Sequence, residues 1–323
     1  MGNRPFQTTG SGVFKLKNPI KVAVIGCRFN TKRFILELHQ DNITIDTLIT
    51  LDPKAAKESY AGYEDISSLS KTINSHLLYT PTYNFDDKLK NKIKKNPPDI
   101  TFCVGWQRLL PKWFLDINRL GVFGMHGSGY QLPLGRGRSP QVWSILEGFT
   151  QYHAHIFKYE SDADSGLIFH HECFDITPFD TAASLQIKSQ MVFNRTLRNR
   201  WNEIENGSLM LSKQDSSIKP TYFPKRTSKD GIINWSNNCS DIANFVRAQT
   251  HPYPGAYTHY NGEKINIWSG HMFDTHLNSH LPPGIVLDIL PELGVLIQTG
   301  DHPFLATSLS LHNLNKGDML SSL

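Results

Sequence analysis

An α/β domain on a mostly parallel sheet, followed by a smaller domain of short strands, is the fold class this sequence predicts. Three observations carry it. Residues 21–26, KVAVIG, form a short apolar run of buried-strand length that leads into the helical pattern TKRFILELHQ. A second strand-like run, ITIDTLITL, comes next, so the chain opens as strand, helix, strand, the order that a parallel crossover requires. In the last third, short alternating runs are separated by the turn signals Asn261-Gly262 and Thr299-Gly300-Asp301, as in an antiparallel β domain.

The elements follow in order. Gly26 reads as a turn and Asn30 as a helix cap. The sequence CRFN after Gly26 does not complete a GxGxxG fingerprint, so no dinucleotide site is expected there. AAKESYAGYEDI reads as a loop carrying Tyr60 and Tyr63. A helix is expected within FDDKLKNKIKKNPPD, its lysines forming a solvated face. ITFCVGWQRLLPKWFLDI runs from strand to helix and sets Gly105 and Trp106 at a strand end, where open α/β sheets bind ligands. A long helix is expected after TPFDT, with Asp180 as its N-cap. The polar stretch from Gly207 to Thr227 reads as a linker. The expected division is therefore residues 1–206, a linker at 207–227 and a second domain at 228–323.

Composition bounds the function classes. The chain has 323 residues, 39% of them hydrophobic and 11% aromatic, enough for two cores. A net charge of +4 is mildly basic, compatible with an anionic substrate or with none, and the second half has no strongly basic stripe of the kind that tight RNA binding needs. Cys27, Cys103, Cys173 and Cys239 are scattered without CxxC spacing and read as reduced thiols, mostly in the core. Residues 1–19 read as a loose arm with neither a signal-peptide pattern nor the Ser or Thr of a myristoylation motif at position 6. No apolar run reaches membrane-spanning length, and a cytoplasmic location is expected.

Most of the chemistry lies between Leu120 and Gly166. Val122 and Phe123 end an apolar run, and His126 follows at the lip of that strand. The loop LPLGRGRSP then supplies glycines, for close backbone approach, and Arg136 and Arg138, which read either as an anion clamp or as surface charge. Pro140 sits where a helix would start, and Asp164 lies in the tight DADSG corner. His126 and Asp164 form a candidate acid/base pair. His153, His155, His170 and His171 also cluster, with His153 and His155 on one strand face and His170 and Glu172 on another. No spacing among them matches a zinc motif, so they read as strand and surface histidines, and no metal is expected.

This stretch resembles the folate-dependent formyltransferases, such as methionyl-tRNA formyltransferase and the sugar N-formyltransferases. That family carries Asn-x-His, a Ser-Leu-Leu-Pro-type loop, Arg-Gly and a later Asp-x-Gly. His126, Ser128, Leu132-Pro133, Arg136-Gly137, Pro140 and Asp164-Ser165-Gly166 take those places, while Gly124 falls where the family has its asparagine. The loop after Ser128 is two residues longer than in the tRNA enzyme. The last third resembles the family's C-terminal domain. The resemblance therefore implies a Rossmann-like N-terminal domain and an open, OB-like C-terminal β-barrel.

It also implies roles. His126 would donate to the formyl oxyanion, Asp164 would orient or charge His126, and Ser128 would fix the loop. The co-substrate would be 10-formyltetrahydrofolate, met by Gly105, Trp106, Gln107, Arg108, Leu109, Leu110, Arg136 and Gly137. With glycine at 124, the second oxyanion donor must come from Gln131, Gln141, a backbone N–H or water, and Gly124→Asn is expected to raise turnover. The fragments RAQTHPYPGAYTHYNG and GRGRSP resemble the sugar enzymes. They imply a nucleotide-linked amino sugar as acceptor, on a surface-polysaccharide pathway such as that to pseudaminic acid. Neither nucleic acid nor membrane is an expected partner, and a homodimer is compatible with this reading. The alternatives are a methionyl-tRNA formyltransferase and a catalytically inactive relative that binds folate or nucleotide.

Overall fold

The computed structural model describes residues 19–56, 62–276, 280–310 and 313–321. The arm expected before residue 19 and Tyr60 lie outside the described residues. Strand β1 (Val22–Ile25) is buried at every position. Helix α1 (Phe29–Gln40) starts two residues before its apolar pattern. Its N-cap is Arg28, in extended conformation, whose amide donates to Thr31 Oγ1 at 3.1 Å. Asn30 is therefore not the cap; it lies inside the first turn, 2% exposed.

Strand β2 (Thr47–Leu51) is shorter than the apolar run that predicts it. Short helices α2 (Pro53–Ala56) and α3 (Leu69–Thr72) precede β3 (His76–Thr80). Helix α4 (Asp87–Lys95) is capped by the Asp86 carboxylate, which accepts from the Leu89 amide. It buries Leu89 and Ile93, one turn apart, and exposes Lys88, Lys92, Lys94 and Lys95. Next come β4 (Ile100–Cys103), α5 (Lys112–Ile117), β5 (Gly121–Ser128), β6 (Arg136–Gly137), α6 (Pro140–Leu146), β7 (Gln151–Lys158) and β8 (Ile168–Asp175). Helix α7 (Ala182–Glu205) is capped by Thr181, not Asp180: Thr181 Oγ1 accepts from the Ser184 amide, and Ser184 Oγ accepts from the Thr181 amide. Asp180 instead pairs with Lys188 at 2.6 Å, and its carboxyl is held below the usual range despite burial by bonds from Lys188, Ser184 and Thr177.

The chain ends with β9 (Tyr222–Phe223), α8 (Cys239–Gln249), β10 (Ala256–Tyr260), β11 (Glu263–Met272), β12 (Val286–Leu290), β13 (Gly294–Ile297) and β14 (Phe304–Leu309). Seven strands form one sheet in the order β3-β2-β1-β4-β5-β7-β8. The pairs β2/β3, β1/β2 and β1/β4 are parallel, and β7/β8 is antiparallel. A second, antiparallel sheet runs β10-β11-β14-β13-β12. Asn261 (φ 51°) and Gly262 (φ 82°) are the two left-handed residues that join β10 to β11 in a tight hairpin.

Two compact units result, residues 1–123 with 193–212, and residues 124–192 with 213–323. In the first, Phe34 packs edge-on to Phe102 at 5.8 Å and lies 5.1 Å from Phe193. In the second, one core gathers Val142, Ile145, Tyr152 and Leu185, and another gathers Trp235, Val246, Ile267 and Phe304.

The β7/β8 ribbon sets His155 opposite His171. The two rings stack at 4.6 Å, and His153 Nδ1 lies 3.0 Å from His171 Nε2. His155 is not a surface residue: it is wholly buried, and its Nε2 accepts the Leu132 N–H at 3.4 Å. Among the described residues no three histidine, cysteine or acidic side chains are grouped to hold a metal ion. Desolvation, reinforced by His171, His126 and His153, pushes the His155 pKa down to about 3.

That shift has a pH signature. A depressed folded-state pKa means that the unfolded chain takes up a proton which the native chain refuses. His155 therefore lowers stability as pH falls from about 6.5 toward 3, by up to about 1.4 kcal/mol per pH unit. His155→Gln keeps an acceptor for Leu132 and does not titrate. Its urea-unfolding free energy should fall less steeply between pH 6.5 and pH 4.5 than that of the wild type; equal slopes would contradict the assignment.

Candidate active site

Strand β5 continues through Ser128, so His126 lies within the strand rather than at its lip. Alternate residues of a strand share a face, so Gly124, His126 and Ser128 do so. His126 is 8% exposed. Its Nε2 is 2.7 Å from the Gly135 carbonyl oxygen. A carbonyl can only accept, so Nε2 carries the hydrogen and Nδ1 is left as the nitrogen that can take up or release a proton. That nitrogen is 3.5 Å from Asp164 Oδ2. The structure thus brings the two candidate acid/base residues face to face.

Asp164 comes from the connection between β7 and β8. Its φ of 54° is left-handed, a conformation that aspartate tolerates better than most residues. Oδ2 accepts the Gly137 N–H at 2.9 Å. Its backbone carbonyl accepts from Gln214 Nε2 at 2.8 Å, and the same amide nitrogen reaches the Gly166 carbonyl at 2.9 Å. Gln214 Oε1 in turn accepts from Arg136 at 2.6 Å. Arg136, expected to touch the carrier, is instead turned inward: it is 7% exposed, and its other terminal nitrogen donates to the Tyr222 hydroxyl at 3.2 Å. Gly137 likewise spends its N–H on Asp164. Arg138 is exposed.

The stretch read as a linker takes part in this arrangement. Its strand β9 pairs in parallel with β6, Arg136 beside Tyr222 and Gly137 beside Phe223. Gly135 N–H donates to Thr221 Oγ1 at 2.9 Å, and the Arg136 and Arg138 amides donate to the Thr221 and Phe223 carbonyls at 3.0 Å. Gly137 has φ 102°, and a Cβ there would fall 2.5 Å from the Phe223 carbonyl oxygen, so only glycine suits the position. Ser128 fastens the start of the loop, its Oγ accepting from the Tyr130 amide and donating to the Tyr130 carbonyl, both at 3.0 Å.

The expectation that asparagine at 124 would raise turnover is corrected. A Cβ on Gly124 would lie 2.5 Å from Tyr159 Cε1 and Cζ, and closer still to the hydroxyl. The space is filled by Tyr159, rather than by Gln131 or Gln141. Sequence reasoning missed Tyr159, Gln214 and Thr221. Two adjacent aromatics, Tyr222-Phe223, inside a polar stretch were the one local sign that residues 207–227 are structured.

In the other unit, Gly105 turns with φ 74°. Trp106 is buried edge-on to Tyr83 at 4.8 Å. Trp106 Nε1 and Asn30 Oδ1 are both buried without a hydrogen-bond partner among the described residues. Leu110 is buried, while Gln107, Arg108 and Leu109 are exposed. In the unit that holds His126, a cavity of about 390 Å³ is lined by Tyr130, Leu134, Trp143, Glu147 and Phe223 among others. Trp143 and Phe223 lie parallel, 5.9 Å apart. Burial, and then the Glu147 charge and hydrogen bond, push the Tyr130 hydroxyl pKa up.

Comparison with known proteins places the chain. Residues 20–197 match the family described as formyl transferase, and residues 225–320 match the formyl transferase C-terminal domain. Among similar solved structures is HypX from Aquifex aeolicus in complex with tetrahydrofolic acid, with TM-score 0.65 and 15% identity, over 90% of this chain and 44% of that one. The chain thus spans less than half the length of the HypX chains. A second is the N-formyltransferase from Helicobacter canadensis in complex with folinic acid and dTDP-3-aminofucose, with TM-score 0.61 and 15% identity, over 90% of this chain and 99% of that one. A third is methionyl-tRNA formyltransferase from Clostridium thermocellum, with TM-score 0.55 and 17% identity, over 79% of this chain and 94% of that one. These likenesses at low identity show a shared fold, and the two matched regions together show more: the chain belongs to the formyl transferase family.

Proposed function

We propose that this chain is an N-formyltransferase that moves a formyl group from 10-formyltetrahydrofolate to the primary amine of a nucleotide-linked amino sugar. The observation that carries the reading is His126, with Nε2 committed to Gly135 and Nδ1 facing Asp164 at 3.5 Å. Formyl transfer needs a group that takes the amine proton as the nitrogen attacks. Nδ1 of His126 is that group, and Asp164 holds and electrostatically supports the imidazole once it is protonated. Gly135 and Gly137 position the pair through the bonds described above, and Ser128 fastens the start of their loop by its bonds with Tyr130.

The folate carrier fits the residues at the end of β4. Trp106 Nε1 is a buried donor and Asn30 Oδ1 a buried acceptor, both unsatisfied among the described residues, as a site for a polar planar ring would leave them. Gly105 to Leu110 are assigned to the carrier, with the exposed Leu109 available for apolar contact. The acceptor is assigned from two supports. The Helicobacter canadensis enzyme, whose complex holds dTDP-3-aminofucose, is matched over nearly its whole length. The aromatic walls of the 390 Å³ cavity suit a flat ring such as a nucleotide base. A surface-polysaccharide pathway, such as that to pseudaminic acid, and a cytoplasmic location go with this reading.

Two measurements test it. Purified protein with 10-formyltetrahydrofolate should formylate a member of an amino-sugar nucleotide panel and leave methionyl-tRNA unchanged; formylation of the tRNA alone would replace the acceptor assignment. Asp164→Asn keeps an acceptor for Gly137 and a residue that tolerates φ 54°, so the fold should survive. Turnover should nevertheless fall by about 10²–10⁴, because an amide cannot stabilise the imidazolium. A folded variant with wild-type turnover of the chemical step would remove Asp164 from the mechanism.

A further inference from the structure

We propose that the Tyr159 hydroxyl is the second hydrogen-bond donor of this site and serves the oxygen of the formyl group during transfer. The proposal rests on the formyl-transfer reading above. Gly124 and His126 are two residues apart on β5, so they present the same face. A side chain starting at Gly124 would run into the Tyr159 ring edge and hydroxyl. The phenol oxygen therefore occupies space that a side chain at 124 would need, beside His126 on the same strand face.

The supply route is also informative. Tyr159 immediately follows β7, and Asp164 lies in the same connection to β8. One short segment thus lays a carboxylate against position 126 of β5 and a hydroxyl against position 124. Packing fixes the tyrosine: its ring stacks on Phe157 at 5.2 Å, and Phe157 is 2% exposed. A phenol offers one O–H donor on a stiff ring, and a preorganised donor is what a developing oxyanion requires. Glycine at 124 is the complement of that arrangement, since any Cβ there would displace the ring.

The step balances without a further reactant. The acceptor nitrogen forms a bond to the formyl carbon, and the carbonyl electron pair moves onto oxygen. Tyr159 donates a hydrogen bond to that oxygen and keeps its proton. The amine proton passes to His126 Nδ1. The pair then returns from oxygen, the bond from the formyl carbon to the carrier nitrogen breaks, and that nitrogen leaves with the proton from Nδ1.

Tyr159→Phe removes one oxygen and preserves the ring. It should lower kcat by about 10²–10³ while leaving KM for 10-formyltetrahydrofolate within about threefold. Tyr159→Ala empties the space, and Gly124→Asn added to it returns an amide donor to the same face. The double variant should therefore turn over faster than Tyr159→Ala alone. Wild-type kcat in Tyr159→Phe would overturn the proposal, as would a folded double variant no faster than the alanine variant. Should the alanine variants fail to fold, the phenylalanine variant decides alone. Failure of the parent reading looks different: wild-type protein that transfers no formyl group to any amine would remove both, whereas an active wild type with an equally active Tyr159→Phe removes only the role of Tyr159.

Discussion

The site depends on holding one carboxylate in a left-handed turn opposite an imidazole on a strand. Neither half is stable in that role by itself. The Asp164 backbone is in a conformation that costs free energy for most residues, and its side chain faces a nearly buried ring. What holds it is a ring of bonds from two directions. Gly137 grips the carboxylate from the loop after β5, and Gln214 grips the carbonyl from the stretch after α7. The same loop accepts a hydrogen bond from His126 Nε2 at the Gly135 carbonyl. Loop, turn and histidine are therefore positioned by one another, and a shift in any of them moves the other two.

This arrangement explains why an arginine sits inside the loop. A buried guanidinium is costly unless its donors are met. The two terminal nitrogens of Arg136 donate to Tyr222 and Gln214, and its guanidinium lies 6.0 Å from the Tyr222 ring, while its Nε is buried without a hydrogen-bond partner among the described residues. In exchange it fixes the amide that holds Asp164. The positive charge that the sequence offers to a ligand is used to order the protein. Arg138, two residues on and exposed, is the arginine of this loop that solvent reaches.

How much of this was legible in the sequence follows from the range of each interaction. The strand β1, helix α4 and the hairpin at Asn261-Gly262 are specified by neighbouring residues, and periodicity or turn chemistry found them. His126 and Asp164 stood out because glycines and small residues flank both. The extent of β5 did not, because glycines and a histidine interrupt its apolar pattern after Phe123. The cap of α7 was placed one residue early, since Asp180 and Thr181 are both good caps and only the bond to Ser184 decides between them. Gln214, Thr221 and Tyr159 act through contacts distant in sequence, with two-residue strand pairing or a single ring over a glycine. Such contacts leave no period to read. The polar composition of residues 207–227 is that of a linker, and its hydrogen-bonding capacity is what lets it serve as a clamp.

The account turns on which nitrogen of His126 is left for chemistry. Nitrogen-15 NMR of the folded protein with labelled histidine, assigned through His126→Gln, reads this directly. The account predicts that the neutral ring carries its hydrogen on Nε2, held by the Gly135 carbonyl, and that Nδ1 is bare. A neutral ring protonated on Nδ1, with Nε2 bare, would set two acceptors against each other at Gly135 and would contradict the geometry on which the assignment of His126 and Asp164 stands.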